Sequence, residues 1–367
     1  GQSGRAPGAF DAVRTWDPVG WGGQVAFFPL NVGNENLGPE ITTETEFGFD
    51  ATFLDDRVSV EFTSYNQTTT DALFNVTQTP SMGFGGSQLE NVGEISNKGI
   101  ELAIQSELMR TNSFSLSGGF TLATNKSEVI SLGGAAPFSY GGWITEGGPV
   151  PGVIGRHITN PNALADPIFA EGEGGAISRY MFGPNLPTEV YSGYLELNLP
   201  KGIKVFTRGE FMGGHYISDG ASSNVARRGA YTVCDEIMIG GKNAYELVAA
   251  GTVDQLTAKQ RAMCTRSVAG GSGNIFIYPG DFFKLRDFTV SVPVPVKISG
   301  INSMMVKFSA KNAYRWLNDD FPLFDPEMVS GGGRLTGSST SGYHSSRSIS
   351  EHIPSTASYT LSLRVSF

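Results

Sequence analysis

The sequence predicts an all-β protein: an antiparallel transmembrane β-barrel segment of about nine strands, with long loops gathered on one side. Three observations predict it. Apolar and polar residues alternate in stretch after stretch, the mark of a strand with two unlike faces. The connections between those stretches alternate strictly between short and long. Charged residues are only 17%, against about 25% in an ordinary soluble domain, while the 367 residues include 48 Gly and 24 Phe. Sparse charge and abundant aromatics exclude a disordered chain. The glycines keep no period of three, which excludes collagen. Heptads are missing, and no run of about 18 apolar residues marks a membrane helix.

The strands follow in order. In 41–54, Phe47, Phe49, Ala51 and Phe53 alternate with Glu46, Gly48, Asp50 and Thr52. In 57–72, Val58, Val60 and Phe62 alternate with Ser59, Glu61 and Thr63. In 99–108, Ile100, Leu102, Ile104 and Leu108 face away from Glu101, Gln105 and Glu107; in 113–125, Phe114, Leu116, Phe120 and Leu122 do the same against Ser115, Ser117 and Thr121. The stretch 188–199 sets Tyr191, Leu195, Leu197 and Leu199 against Ser192, Glu196 and Asn198. In 203–217, Ile203, Val205 and Phe211 oppose Lys204, Arg208 and Glu210. In 282–296 the phase slips between Phe283, Leu285 and Phe288, Val290, Val292, Val294, which predicts a β-bulge near Arg286 and Asp287. In 303–315, Met304, Val306, Phe308 and Ala310 oppose Lys307, Ser309 and Lys311. The last stretch, 357–367, sets Tyr359, Leu361, Leu363, Val365 and Phe367 against Thr360, Ser362, Arg364 and Ser366.

A soluble antiparallel sandwich shows the same alternation, but it has no reason to keep its long loops at one end. The short connections are 54–57, 109–113, 200–202 and 297–302; the long ones are 73–98, 126–187, 218–281 and 316–356. That is the asymmetry of an outer-membrane barrel, with short periplasmic turns and long outer loops. Strands near ten residues suit a tilted membrane span. Stretches that begin outside and end inside do not close an antiparallel barrel. Further strands are therefore expected before Gly1 or from another chain, with residues 1–4 as the tip of one of them. Residues 1–20 carry no secretory signal pattern, and the start at Gly1 suggests a processed or excised piece.

A net charge of −9 argues against nucleic acid as a partner. Neither a G-x-S-x-G, an H-E-x-x-H nor a phosphate-binding glycine loop occurs. His157, His215, His344 and His352 are scattered, so no enzyme is expected, and no cofactor or metal.

Particular residues then resemble a known family. Asn36-Leu37-Gly38-Pro39-Glu40 leads into a strand ending at Phe53-Leu54-Asp55-Asp56-Arg57. Asn91-Val92-Gly93-Glu94 is followed by Asn97-Lys98-Gly99-Ile100-Glu101; Phe283-Lys284-Leu285-Arg286, Ala310-Lys311-Asn312 and Asp325-Pro326-Glu327 come later, in that order. Together they resemble the barrel of TonB-dependent transporters, most of all the SusC/RagA-like branch, over essentially the whole chain. The resemblance implies about 22 strands around a plug, of which residues 1–367 would be the C-terminal part, with the plug and N-terminal strands lying elsewhere. It implies the cell outer membrane of a Gram-negative-type bacterium and uptake of large nutrients such as oligosaccharides or peptides. The implied partners are the remaining strands and plug, a SusD-like surface lipoprotein as lid, the TonB complex and membrane lipid. The alternative is a barrel segment serving as scaffold without transport.

Candidate side chains follow from this layout. Glu46, Asp50, Glu61, Glu101, Gln105, Glu196, Lys204, Arg208, Glu210, Lys307, Lys311 and Arg364 are expected on the lumen wall, and Phe47, Phe120, Leu197, Phe308 and Leu363 toward lipid. Two loop clusters mix rings with carboxylates: Trp316, Asp319, Asp320, Phe321, Phe324, Asp325 and Glu327, and Phe138, Tyr140, Trp143 and Glu146. Rings stack on sugar faces and carboxylates accept sugar hydroxyls, so Trp316, Asp319, Asp320, Phe324, Asp325 and Trp143 are candidate substrate contacts; packing against loops or a lipoprotein is the plainer reading. Calcium at Asp319, Asp320 and Asp325 lacks the EF-hand spacing. Cys234 and Cys264, both in one outer loop, are expected to form a disulfide, flanking a helix that begins after Thr257 as N-cap. Tyr359, Leu361, Leu363, Val365 and Phe367 resemble the C-terminal signal of outer-membrane insertion.

Overall fold

The computed structural model describes residues 2–8, 10–79, 81, 84, 86–139, 142–270, 273–295, 298–330, 348–349 and 355–367. Ten strands form one sheet: β1 (Gln2–Arg5), β2 (Glu40–Phe53), β3 (Val58–Thr70), β4 (Glu94–Arg110), β5 (Ser115–Ser131), β6 (Glu189–Asn198), β7 (Lys204–Gly213), β8 (Phe282–Val294), β9 (Ser303–Leu317) and β10 (Ser358–Ser366). Their order in the sheet is their order in the chain. The alternation pattern is therefore borne out as one antiparallel meander. β1 pairs antiparallel with the start of β2, Gln2 opposite Thr43 and Arg5 opposite Glu40. Two strands run well past their predicted ends, to 94–110 and 115–131, and β9 runs two residues past its own. The added residues include Ile95 and Val129, which are buried in a core outside the alternating pattern.

The short connections are tight. In 54–57, Leu54, Asp55 and Asp56 all take positive φ, and Arg57 N–H donates to the Leu54 carbonyl at 3.3 Å. The bulge in β8 lies at Arg286: Asp287 pairs with Arg208 and Leu285 with Gly209, so Arg286 is skipped. On the other side the register jumps from Leu285–Tyr314 to Asp287–Lys311, and Asn312 turns to a φ of 51°. Asn tolerates that left-handed conformation better than most side chains.

The residues cluster into two compact units, Gly1–Phe47, Thr63–Ile100 and Asn125–Gly152 on one hand, and Gly48–Phe62, Glu101–Thr124 and Val153–Phe367 on the other. The first has a core of Ala72, Phe74, Val76, Val92, Ile95, Val129, Leu132, Phe138 and Ile144. It also carries a hairpin, Thr15–Trp21 with Gln24–Asn31, turned through Gly22 and Gly23 at φ 57° and 81°. Sequence alternation did not reveal this hairpin, because both its faces are apolar: Trp16 and Phe27 on one, Trp21 and Phe28 on the other.

The second unit places its core in the long connection 214–281. Helices α1 (Gly220–Arg228), α2 (Thr232–Glu236), α3 (Ala244–Ala250), α4 (Ala258–Cys264) and α5 (Arg266–Ala269) pack Ala226, Leu247, Leu256, Met263, Phe276 and Tyr278 together. Thr257 caps α4 in a reciprocal box with Gln260, and Asn243 caps α3 in the same way with Glu246. Cys234 of α2 and Cys264 of α4 are bonded, S–S 2.12 Å. None of the described helices is long and apolar enough to cross a membrane.

Apolar burial is thus concentrated in the loops. Along the middle of the sheet many large apolar side chains are exposed instead: Phe47, Phe49, Phe120, Leu195, Phe308, Leu361 and Leu363 all lie in the open. In the second unit exposed and half-buried apolar side chains form continuous rows on one face, among them Leu197, Val205, Val290, Phe308 and Leu361.

Candidate functional site

In the first unit, two sequence motifs that lie more than fifty residues apart prove to be one contact. The Asn91 side chain accepts from Gly38 N–H at 2.7 Å and donates to the Gly38 carbonyl at 2.9 Å. It also donates to the Asp71 carbonyl at 2.8 Å. Glu40, 3% exposed, accepts from Leu73 N–H at 3.1 Å. Gly93 has φ +82°, and a Cβ there would overlap the Ser131 carbonyl, so the position admits no side chain. These residues anchor the loops to the strand ends.

A second pair of motifs meets in the second unit. Lys284 of β8 is 2% exposed, and its Nζ donates to both carboxylate oxygens of Asp325, at 2.7 and 2.8 Å. It also donates to Glu327 and, at 3.3 Å, to Ser355, whose hydroxyl donates in turn to Asp325. Arg286 joins Glu327 at 2.6 and 2.8 Å and Glu210 of β7 at 2.8 Å. The ring of Phe282 lies 5.4 Å from the Lys284 ammonium. Lys284 and Arg286, two residues apart along β8, converge on Glu327, while Lys284 also reaches Asp325 and Arg286 also reaches Glu210. Burial works against ionisation of Glu327, but the hydrogen bonds from Arg286 and Lys284 outweigh it and hold its carboxyl down at about 2. The network fastens the segment after β9 to the polar face of the sheet.

Beside the helical insert lies a cavity of about 330 Å³. Its rings come from separate segments. His157 stacks on Tyr180 with centroids 4.6 Å apart, Phe182 stands edge-on to both at 5.6 and 5.2 Å, and Tyr216 is 5.8 Å from Phe182. Arg156, Lys259 and Asp320 add charge to the lining, and Met263, Ile275 and Ile277 an apolar floor. Arg156 is steered by a 2.6 Å hydrogen bond to the Val268 carbonyl. Burial pushes the Tyr278 hydroxyl up, so it stays protonated as part of the wall.

The structure divides the first predicted loop cluster. Trp316 is not a loop residue: it belongs to β9 and stacks on Phe211 at 6.4 Å, in a row with Tyr191 and Phe283 on the apolar face. Alternation extends two residues beyond the predicted strand end, which carries it there. Asp325 is no open carboxylate, because burial to 1% exposure and the Lys284 and Ser355 bonds occupy it; Glu327 is likewise engaged. Phe321 is buried edge-on to Tyr278. Asp319 and Phe324 are exposed, and Asp320 lines the cavity. Among the described residues no group of three or more His, Cys, Asp or Glu is placed to hold a metal.

In the second cluster, Trp143 sits in a short ladder with Phe138–Ser139, Phe138 is buried in the core, and Glu146 accepts from Leu132 N–H at 2.8 Å. Tyr140, His344 and His352 lie outside the described residues. Of the wall charges, Glu210 pairs across from Lys284, Arg208 from Asp287 and then Lys311, and Lys204 from Ser291 and then Lys307. All share the face opposite Tyr191, Phe211 and Phe283. Glu46, Asp50, Glu61, Glu101 and Arg364 are exposed on their strands. Tyr359, Leu361, Leu363 and Val365 stand opposite Ala310, Phe308, Val306 and Met304, on the apolar face of β10. The ring cavity escaped sequence reading because its parts are spread over 156–320; the one local signal was Tyr180-Met181-Phe182, apolar rings two apart in a stretch outside the predicted strands, which proves to be the short strand Tyr180–Pro184.

Residues 1–240 match the model of a family described as "TonB dependent receptor-like, beta-barrel". TonB-dependent receptor P39 of Formosa agariphila is 30% identical over 142 residues, 38% of this chain and 14% of that protein. TonB-dependent receptor SusC of Bacteroides thetaiotaomicron is 29% identical over 107 residues, 29% of this chain and 11% of that protein. Among solved structures, the RagAB peptide importer in its open-open state superposes with a TM-score of 0.67 at 15% identity, covering 100% of this chain and 39% of that one. The RagAB peptide transporter gives 0.65 at 15% identity, covering 89% and 37%. These structural likenesses concern the fold, and the matched regions span 39% or less of each of these relatives.

Proposed function

Because the chain belongs to the TonB-dependent receptor-like β-barrel family, we propose that it forms part of an outer-membrane importer for nutrients too large to diffuse through porins. The observation that carries this reading is the inverted distribution of apolar groups: open rows on one face of the sheet, and packed cores in the loops and the strand ends next to them. Lipid suits the first and water the second. On this reading the face bearing Arg208, Glu210, Lys307 and Lys311 lines the lumen against a plug. The loop bodies meet the nutrient outside the cell. A SusD-like lipoprotein acts as lid and the TonB complex supplies energy through the plug, as the likeness to SusC and the RagAB importer suggests. Catalysis has no place in this scheme.

The test is a clean deletion of the gene in its host, followed by growth and uptake on a panel of oligosaccharides and peptides above the porin limit. Loss of growth on one class, restored by the gene, is the expected outcome. Unchanged uptake on every substrate, together with a weakened envelope, would favour the scaffold alternative.

A further inference from the structure

The ring cavity beside the helical insert holds more information than a generic nutrient contact. Its walls combine half-buried rings, an apolar floor and two cations. Arg156 and Lys259 make no ion pair among the described residues, and Lys259 is exposed. Among the described residues Asp320 is the one carboxylate in the lining, which leaves their side chains net positive within a chain of net charge −9. A cationic ligand would meet repulsion there, and a neutral one would leave both cations without an ionic partner. The field of the whole chain repels anions, so attraction to one has to be local.

We infer that this cavity takes one acidic sugar unit of an anionic oligosaccharide, a uronate-type residue. A sugar ring presents C–H groups on its flat faces and hydroxyls on its rim. The faces lie against Tyr180, Phe182 and Tyr216, as apolar ligand faces lie on aromatic walls. The carboxylate meets Arg156, held in place by the Val268 carbonyl, and Lys259. Asp320 accepts a hydroxyl. With a volume of about 330 Å³ the cavity sits at the low end of the roughly 300–1,000 Å³ range of small-ligand sites, room for about one or two sugar rings. A peptide is less well served. Pro161 and Pro279 line the cavity and have no backbone N–H to offer to its carbonyls. This assignment rests on the import reading only for its biological setting; binding itself is measurable without transport.

The experiment is calorimetric titration of the full-length protein in detergent, at low salt, with four probes: a tetramer of galacturonic acid, the neutral galactose tetramer, a sulfated tetramer, and an acidic tetrapeptide ending in Phe. The uronate tetramer is expected to bind at least about tenfold tighter than the neutral one, and to weaken as salt rises. Lys259→Glu, a change at an exposed side chain, is expected to cost about tenfold or more in affinity. Tyr180→Phe, which keeps the ring, is expected to retain binding. Equal binding of the neutral tetramer, preference for the peptide, or an unchanged affinity in Lys259→Glu would each overturn the assignment. Tighter binding of the sulfated tetramer would overturn the carboxylate in favour of a sulfate ester. Measured uptake of some nutrient without uronate binding would sink this inference and leave the import reading standing; uronate binding in a protein whose deletion alters no uptake would do the reverse.

Discussion

Lys284 is the residue on which the outer part of the second unit turns. A lysine at 2% exposure is tolerated only because Asp325, Glu327 and Ser355 surround its ammonium group. Removing one partner leaves a buried charge unpaired, which typically costs about 3–5 kcal/mol. Asp325→Ala is therefore expected to free the segment after β9, seen as rapid protease cleavage between 318 and 330 with the sheet still folded. Lys284→Met with Asp325→Leu, which removes both charges, should restore much of the protection. The same network predicts a pH response. The Glu327 carboxyl is held at about 2, below its ordinary 4.5, so its contribution is fully present above about 4.5 and is lost as pH falls toward 2. Hydrogen-exchange protection in residues 318–330, corrected for the intrinsic pH dependence of exchange, is expected to be unchanged between pH 7 and 5 and to fall below pH 4. Loss of protection already between pH 7 and 6 would place the relevant titration elsewhere.

At the scale of elements, the bulge in β8 separates two roles of one strand. Leu285 and Phe288 stay on the apolar face although three steps apart, because Arg286 is left out of the ladder. Deleting Arg286 is expected to leave the strand in phase and the protein inserted, while loosening the bonds to Glu210 and Glu327. Deleting Val290 instead inverts every later side chain of β8 and is expected to block folding, as judged by heat-modifiable mobility on gels. Both deletions behaving alike would mean that the bulge does not set the phase. This bulge was legible in the sequence, as were all the long strands, since a period of two with one apolar face leaves little choice of register. The loop elements were less so. Thr257 and Gln260 signal the start of α4, but α1, α2 and α3 are only 9, 5 and 7 residues long, too short for a helical period to show. The hairpin 15–31 lacks a polar face and so lacks alternation. The motif strings were recognised, yet nothing in them says that Lys284 meets Asp325 or that Asn91 meets Gly38; those contacts are made by the fold.

At the scale of the whole molecule, two opposite rules of burial hold in one chain. Loop residues such as Leu256, Ala262 and Phe276 are sealed from solvent, as in a water-soluble domain, while Leu361 on the sheet is 75% exposed. A protein in water would not keep a row such as Leu197, Val205, Val290, Phe308 and Leu361 half-buried to exposed, because the area removed from water on covering it is worth about 25 cal/mol per Å². Lipid reverses the balance, and the reversal is testable at neighbouring positions. Leu361 and Thr360 stand on the same strand and point to opposite faces: Leu361 pairs with Phe308, Thr360 with Ser309. Arginine at the lipid midplane costs roughly 2–4 kcal/mol, and on the lumen side far less. Leu361→Arg is therefore expected to lower the folded fraction recovered in bilayers sharply, and Thr360→Arg to leave it near that of the unaltered protein. The two changes add the same charge one residue apart, so general strand disruption predicts equal losses. Only a sheet with lipid on one side predicts a difference, and equal losses in folding yield would refute the membrane assignment of that face.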